Sequence, residues 1–174
     1  MGAVFLYLAV KNLTNTMKAI KIELKWAIIF TITMLAWMLF EKTLGWHEEN
    51  IANHYWLTLL FIPFAILMYV LVMREKRRRH YDKKMTWLQG FITGAKMALF
   101  VALLSPLAQY ITHNYITPEY FNNVIEYSVT NDVMTRTKAN DYFNITNYIW
   151  QSAFGALGGG LVVSAIVAIF MRRS

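Results

Sequence analysis

The run Met73-Arg74-Glu75-Lys76-Arg77-Arg78-Arg79-His80-Tyr81-Asp82-Lys83-Lys84 holds seven of the chain's 17 Lys and Arg residues and lies between two long apolar segments. A run of this charge resists crossing a bilayer and fixes how the segments beside it thread. The chain is 57% hydrophobic with a mean hydropathy of +0.35, which is too apolar for an ordinary soluble domain of 174 residues. One small membrane domain accounts for it better than two globular ones.

Trp26–Phe40 is uncharged and, with Glu41 and Lys42 taken as interfacial, extends as a first span over about 26–46. Trp26 and Trp46 then fall at the two headgroup belts. The second span covers about 55–73, with Pro63 inside it as a local bend. The third covers about 87–112, interrupted by Lys96 and carrying Pro106 near its far end. The fourth covers about 148–171 and is closed by Arg172 and Arg173. Met1–Thr16 reads as a frayed extension, a misassigned start or a short interfacial segment before a single domain over 17–174.

Basic residues alternate along this order: Lys11, Lys18, Lys21 and Lys25 before the first span, Lys42 after it, then the central run, then Arg136 and Lys138, then the tail. The expectation is an all-α, integral membrane four-helix bundle with both termini and the central run in the cytoplasm. Between the third and fourth spans, Thr117-Pro118-Glu119 has the form of a helix start. Phe121, Val124, Ile125 and Ser128 follow at helical spacing, which predicts a short amphipathic helix over Pro118–Val129 at the outer interface. Thr135–Phe143 reads as a second short helix.

Several pieces in order carry a resemblance: Glu41 with Gly45 and His47, Gln89-Gly90-Phe91, Ser105-Pro106 with Gln109, Pro118 with Tyr120-Phe121, and Ile125-Glu126-Tyr127. Together they resemble the uncharacterised bacterial family catalogued as domain of unknown function 4199, from about Met17 to the C-terminus. The resemblance implies a small, four-helix, multi-pass protein of the bacterial inner membrane. It carries no activity, substrate or catalytic residue. Lys96 is polar where an apolar or small residue is expected.

Three groups of residues are candidates for chemistry. Glu41, His47, Glu48, Glu49 and His54 share one loop, which His113 can join; histidine with carboxylate binds zinc or relays protons. Their spacing matches no metal signature, and the plain reading is a solvated loop. Lys96 is costly inside a span and is either a functional group or a snorkelling one. It lies nine residues past Trp87, ~13 Å along a helix at 1.5 Å per residue. Ser105-Pro106 with Gln109 and His113 places polar groups beside a helix kink, either lining a cavity or bonding across the bundle.

No phosphate loop, dinucleotide fingerprint or triad spacing is present, and there is no cysteine, so the expectation is not an enzyme and no cofactor or metal. The net charge of +7 sits beside apolar segments, so its expected partners are anionic lipid headgroups at Arg74–Lys84 rather than nucleic acid. A homo-oligomer or an unknown membrane partner is also compatible. The functional expectation is a non-catalytic structural, scaffold or accessory subunit. The alternative is a small transporter or carrier with a polar path near Lys96, Gln109 and the outer acidic and histidine residues. Small residues recur every four positions at Gly90, Gly94, Ala98 and Ala102, leading to Pro106, and again at Ser152, Ala156, Gly160 and Ser164. Such rows mark close helix contacts, so the third and fourth spans are expected to form the tightest pair, with Lys96 turned away.

Overall fold

A computed structural model of the chain describes the backbone of residues 2–173 and the side chains of residues 20–173. The expected N-terminal extension, Met1–Thr16, lies outside the residues described in full. Among the described residues there are seven α-helices: α1 (Gly2–Thr43), α2 (His54–Leu57), α3 (Ile62–His80), α4 (Trp87–Ile111), α5 (Tyr120–Thr130), α6 (Arg136–Tyr142) and α7 (Ile145–Met171). Four stretches of the described residues are long and apolar enough to cross a membrane: Ile20–Thr43, Ile51–His80, Trp87–Ile116 and Ile145–Met171. This is the make-up of a multi-pass, all-helical membrane protein.

The first span stops at Thr43 rather than at Trp46. Gly45 adopts φ +70°, a conformation that favours glycine, and its carbonyl accepts from the N–H groups of Glu48 (3.2 Å) and Asn50 (2.9 Å). That turn reverses the chain toward the second span. Pro63 sits in the first turn of α3, directly after 3₁₀ turns at Ile51–Asn53 and Thr58–Phe61, so the helix type changes just before it. There its missing N–H costs nothing, because the first N–H groups of a helix have no partner within it.

The basic run is mostly helix, not loop. Arg and Lys are good helix formers, and α3 continues through His80 until Asp82 (φ 45°) and Lys83 (φ 68°) turn the chain. Lys76 is buried and pairs with buried Glu23 of α1 at 2.9 Å. Lys25 and the Trp26 indole N–H both reach Glu75. Thr86 and Gln89 then form a reciprocal capping box that starts α4. At this same end of the bundle, Met85 and Arg173 exchange backbone hydrogen bonds of 2.9 and 2.8 Å, and Arg77 caps the last turn of α7 at the Met171 carbonyl.

The most extensive helix contact is between α4 and α7. Gly90 faces Ala168, Gly94 faces Ser164, and Gly160 faces Ala98. A β-carbon added at Gly160 would lie 2.5 Å from the Ala98 β-carbon, so glycine there sets how closely the two backbones approach. Gly155, Gly158 and Gly159 face away from such contacts. Lys96 is exposed on the outside of the bundle.

Pro106 is accommodated inside α4. It has no N–H for the Ala102 carbonyl four residues back, and the Ser105 hydroxyl donates to that carbonyl at 2.8 Å instead. The segment after α4 also differs from expectation. A π-turn over Thr112–Ile116 extends the helix, closed by Thr117 N–H donating to the Thr112 carbonyl at 2.8 Å. Thr117 and Pro118 therefore form a turn before α5, rather than its cap and first residue. Asn144 caps α7 by accepting from the Asn147 N–H at 3.0 Å, so α7 begins at Ile145, ahead of the expected Tyr148.

Candidate functional site

Glu41 lies in the last turn of α1, and its side chain is fully buried. A buried carboxylate needs compensating donors, and three converge on it. The Trp37 indole N–H, one turn back on the same helix, donates to Oε1. His47 Nε2 and His54 Nε2 lie 3.0 and 3.2 Å from Oε2. The Gly45 turn brings His47 back over the end of α1. The 3₁₀ turn before α2 delivers His54, whose ring centroid is 4.9 Å from that of His47.

The segment between α4 and α7 closes over these groups. Asn123 of α5 donates to the His47 backbone carbonyl at 3.0 Å. Tyr120, also of α5, has its hydroxyl 3.3 Å from His54 Nδ1 and 3.2 Å from the Tyr148 hydroxyl of α7. Burial raises the Tyr120 phenol above its ordinary value, and the nearby Glu41 charge adds to this. At neutral pH it is therefore a neutral hydrogen-bonding group. From α4 and its π-turn come Gln109 and His113, joined by a 3.0 Å hydrogen bond from side chain to ring. The His113 ring stacks on Phe121 at 4.2 Å and meets Tyr148 edge-on at 5.6 Å.

Below this polar cap is a cavity of about 380 Å³. Its apolar walls include Phe30, Met34, Phe61, Val101, Ala108 and Gly155, and its polar end is formed by His47, His54, Gln109, His113, Tyr120 and Tyr148. The α1 residues that line it run from Phe30 to Met38, ~12 Å along the helix at 1.5 Å per residue. Among the described residues, the buried side-chain nitrogens and oxygens without a hydrogen-bond partner are His47 Nδ1 and His113 Nδ1. Both belong to residues that line this cavity.

Five of the polar residues singled out from the sequence, Glu41, His47, His54, Gln109 and His113, thus come together at one end of the bundle. Lys96 does not join them and does not line the cavity. Ser105 lines it, as do Ser152 and Ala156 of the small-residue rows, whereas Gly90, Gly94, Ala98, Gly160 and Ser164 pack α4 on α7. Glu48 and Glu49 are exposed. Sequence reasoning missed Trp37 and Tyr148. The four-residue spacing of Trp37 and Glu41 on one helix is a usable signal; nothing local to Tyr148 points to the site. The donor atoms of Glu41, His47 and His54 lie within 4.8 Å of one another, the spacing of a metal-ligating group.

The chain belongs to the family described as protein of unknown function (DUF4199), whose model matches residues 25–173. No curated protein and no solved structure matches it.

Proposed function

We propose that this member of the family is a non-catalytic, multi-pass membrane protein that binds a single-chain amphiphile. The apolar body would lie between α1, the 3₁₀ turn Thr58–Phe61, α4 and α7, and the polar end would meet the histidine cap. One observation carries the reading: an apolar cavity ends in a polar cap, where His47 and His113 line it and each keeps one buried ring nitrogen without a protein partner. A buried polar atom left unpaired costs roughly 1–3 kcal/mol, which a ligand's hydrogen-bonding end would offset on reaching it. The cavity also falls within the ~300–1,000 Å³ typical of small-molecule sites.

This reading is closer to a carrier than to a scaffold, but its path differs from one through Lys96. A long-chain alcohol bearing a diazirine on its chain tests it in bilayer-reconstituted protein. Adducts are expected on Met34, Phe61 and Val101, and Gly155→Phe should reduce them. A Cβ at Gly155 meets no atom within 4 Å, so the new side chain can start there without displacing a neighbour. Adducts confined to exposed residues such as Leu99, Leu103 and Phe170 would contradict it.

The basic-residue alternation supports a bacterial inner-membrane threading with the Arg74–Lys84 end in the cytoplasm, against anionic headgroups. The histidine cap and α5 would then lie on the outer side, with the cavity opening inward from that face to about the bilayer midplane. Reporter fusions at Arg78 and Ser174 should read as cytoplasmic, and those at Glu49 and Thr130 as external. An external signal at Arg78 would reverse the threading.

A further inference from the structure

We propose that Glu41, His47 and His54 form a binding site for one divalent transition-metal ion of the zinc class. The proposal rests on the ligand geometry and not on what occupies the cavity. Two neutral imidazoles and one carboxylate are the ligand types that suit such an ion. A tetrahedral zinc site, with bonds of ~2.0–2.2 Å, sets its ligand atoms ~3.3 Å apart. The two histidine nitrogens already stand 3.0 and 3.2 Å from Glu41 Oε2. All three donor atoms lie within 4.8 Å of one another, close enough for one ion to draw them into its coordination sphere.

The surroundings hold these groups in ligating orientation. Trp37 fixes Oε1 and leaves Oε2 for the ion. Glu41 and His47 are both buried, so neither ligand is a freely rotating surface group. With an ion on Nε2, each imidazole carries its proton on Nδ1. His54 Nδ1–H then donates to the Tyr120 hydroxyl, and Tyr120 donates to Tyr148, along contacts of 3.3 and 3.2 Å. That is the outer hydrogen bonding that usually accompanies a metal-bound histidine. His47 Nδ1, buried and unpartnered, becomes an N–H donor beside the cavity. Three protein ligands leave a fourth tetrahedral position, which water or the polar end of a cavity occupant can fill.

The test uses the full chain in nanodiscs, stripped with a chelator and titrated with Zn²⁺ alone by calorimetry. One equivalent should bind. Glu41→Gln, His47→Gln and His54→Gln should each weaken binding at least tenfold, and Tyr120→Phe about tenfold, by loss of outer support. The paired change Glu48→Gln with Glu49→Gln should leave affinity unchanged. Because a ligand variant can misfold, Co²⁺ is added to the wild-type protein as a second probe. The intense visible absorption of four-coordinate cobalt is expected. Absence of Zn²⁺ binding by the wild-type protein, affinity that survives Glu41→Gln in a helical protein, or the weak spectrum of six-coordinate cobalt would each overturn the proposal. None of these readouts depends on the diazirine labelling, so the metal site and the amphiphile site fail separately.

Discussion

Glu23 of α1 and Lys76 of α3 form an ion pair at 2.9 Å with both side chains buried. They are more than fifty residues apart in sequence, and each sits where a helix would otherwise face apolar neighbours. Breaking a buried pair by removing one partner costs about 3–5 kcal/mol. Glu23→Ala should therefore lower stability by about that amount in detergent unfolding. Glu23→Leu combined with Lys76→Met should recover most of the loss. A single change without effect would mean that the pair is solvated.

The glycines of the two closest helices should respond unequally. A β-carbon at Gly94 would lie 2.7 Å from the Ser164 β-carbon and 2.9 Å from Met73 Cε. Gly94→Ala should cost about 1–3 kcal/mol by overpacking. Gly158→Ala, with nothing within 4 Å, should be neutral or gain up to ~1 kcal/mol from helix propensity. Equal effects at the two positions would argue against the α4–α7 seam.

Ser105 and Pro106 should be coupled. Ser105→Ala leaves the Ala102 carbonyl without a donor and should cost about 1–2 kcal/mol. In a Pro106→Ala background the backbone N–H returns, and the same serine change should cost close to nothing. A double-mutant cycle in thermal unfolding measures the difference; additive effects would remove the compensating role from the serine hydroxyl.

Much of this fold was readable because its signals are local. Uncharged runs gave the four spans, and the small-residue rows with their four-residue period marked α4 and α7. The failures are also local in origin. Residues 74–80 were left outside the second span because of their charge, yet their helix propensity and the Glu23 partner across the bundle hold them in α3. A carboxylate distant in sequence gives a buried lysine no local signature. The third span was expected to start at about 87, and α4 does begin there, behind the Thr86–Gln89 capping box.

The site was legible in part. Glu41, His47, Gln109 and His113 were distinguishable as polar groups near span ends. Their convergence depends on the Gly45 turn, the 3₁₀ entry to α2 and the π-turn after α4, none of which has a periodic pattern. Glu41 was taken as interfacial because a charged residue at a helix end usually meets water. It is instead enclosed by Trp37, His47 and His54.

The most direct test of amphiphile binding is nitrogen NMR of histidine-labelled protein in bilayers, with His47 and His113 assigned through their glutamine variants. Adding the long-chain alcohol should shift the Nδ1 resonances of His47 and His113, leave exposed His80 unchanged, and lose its effect in Gly155→Phe. Unchanged His47 and His113 resonances at saturating alcohol, or equal shifts at all the histidines, would contradict the account.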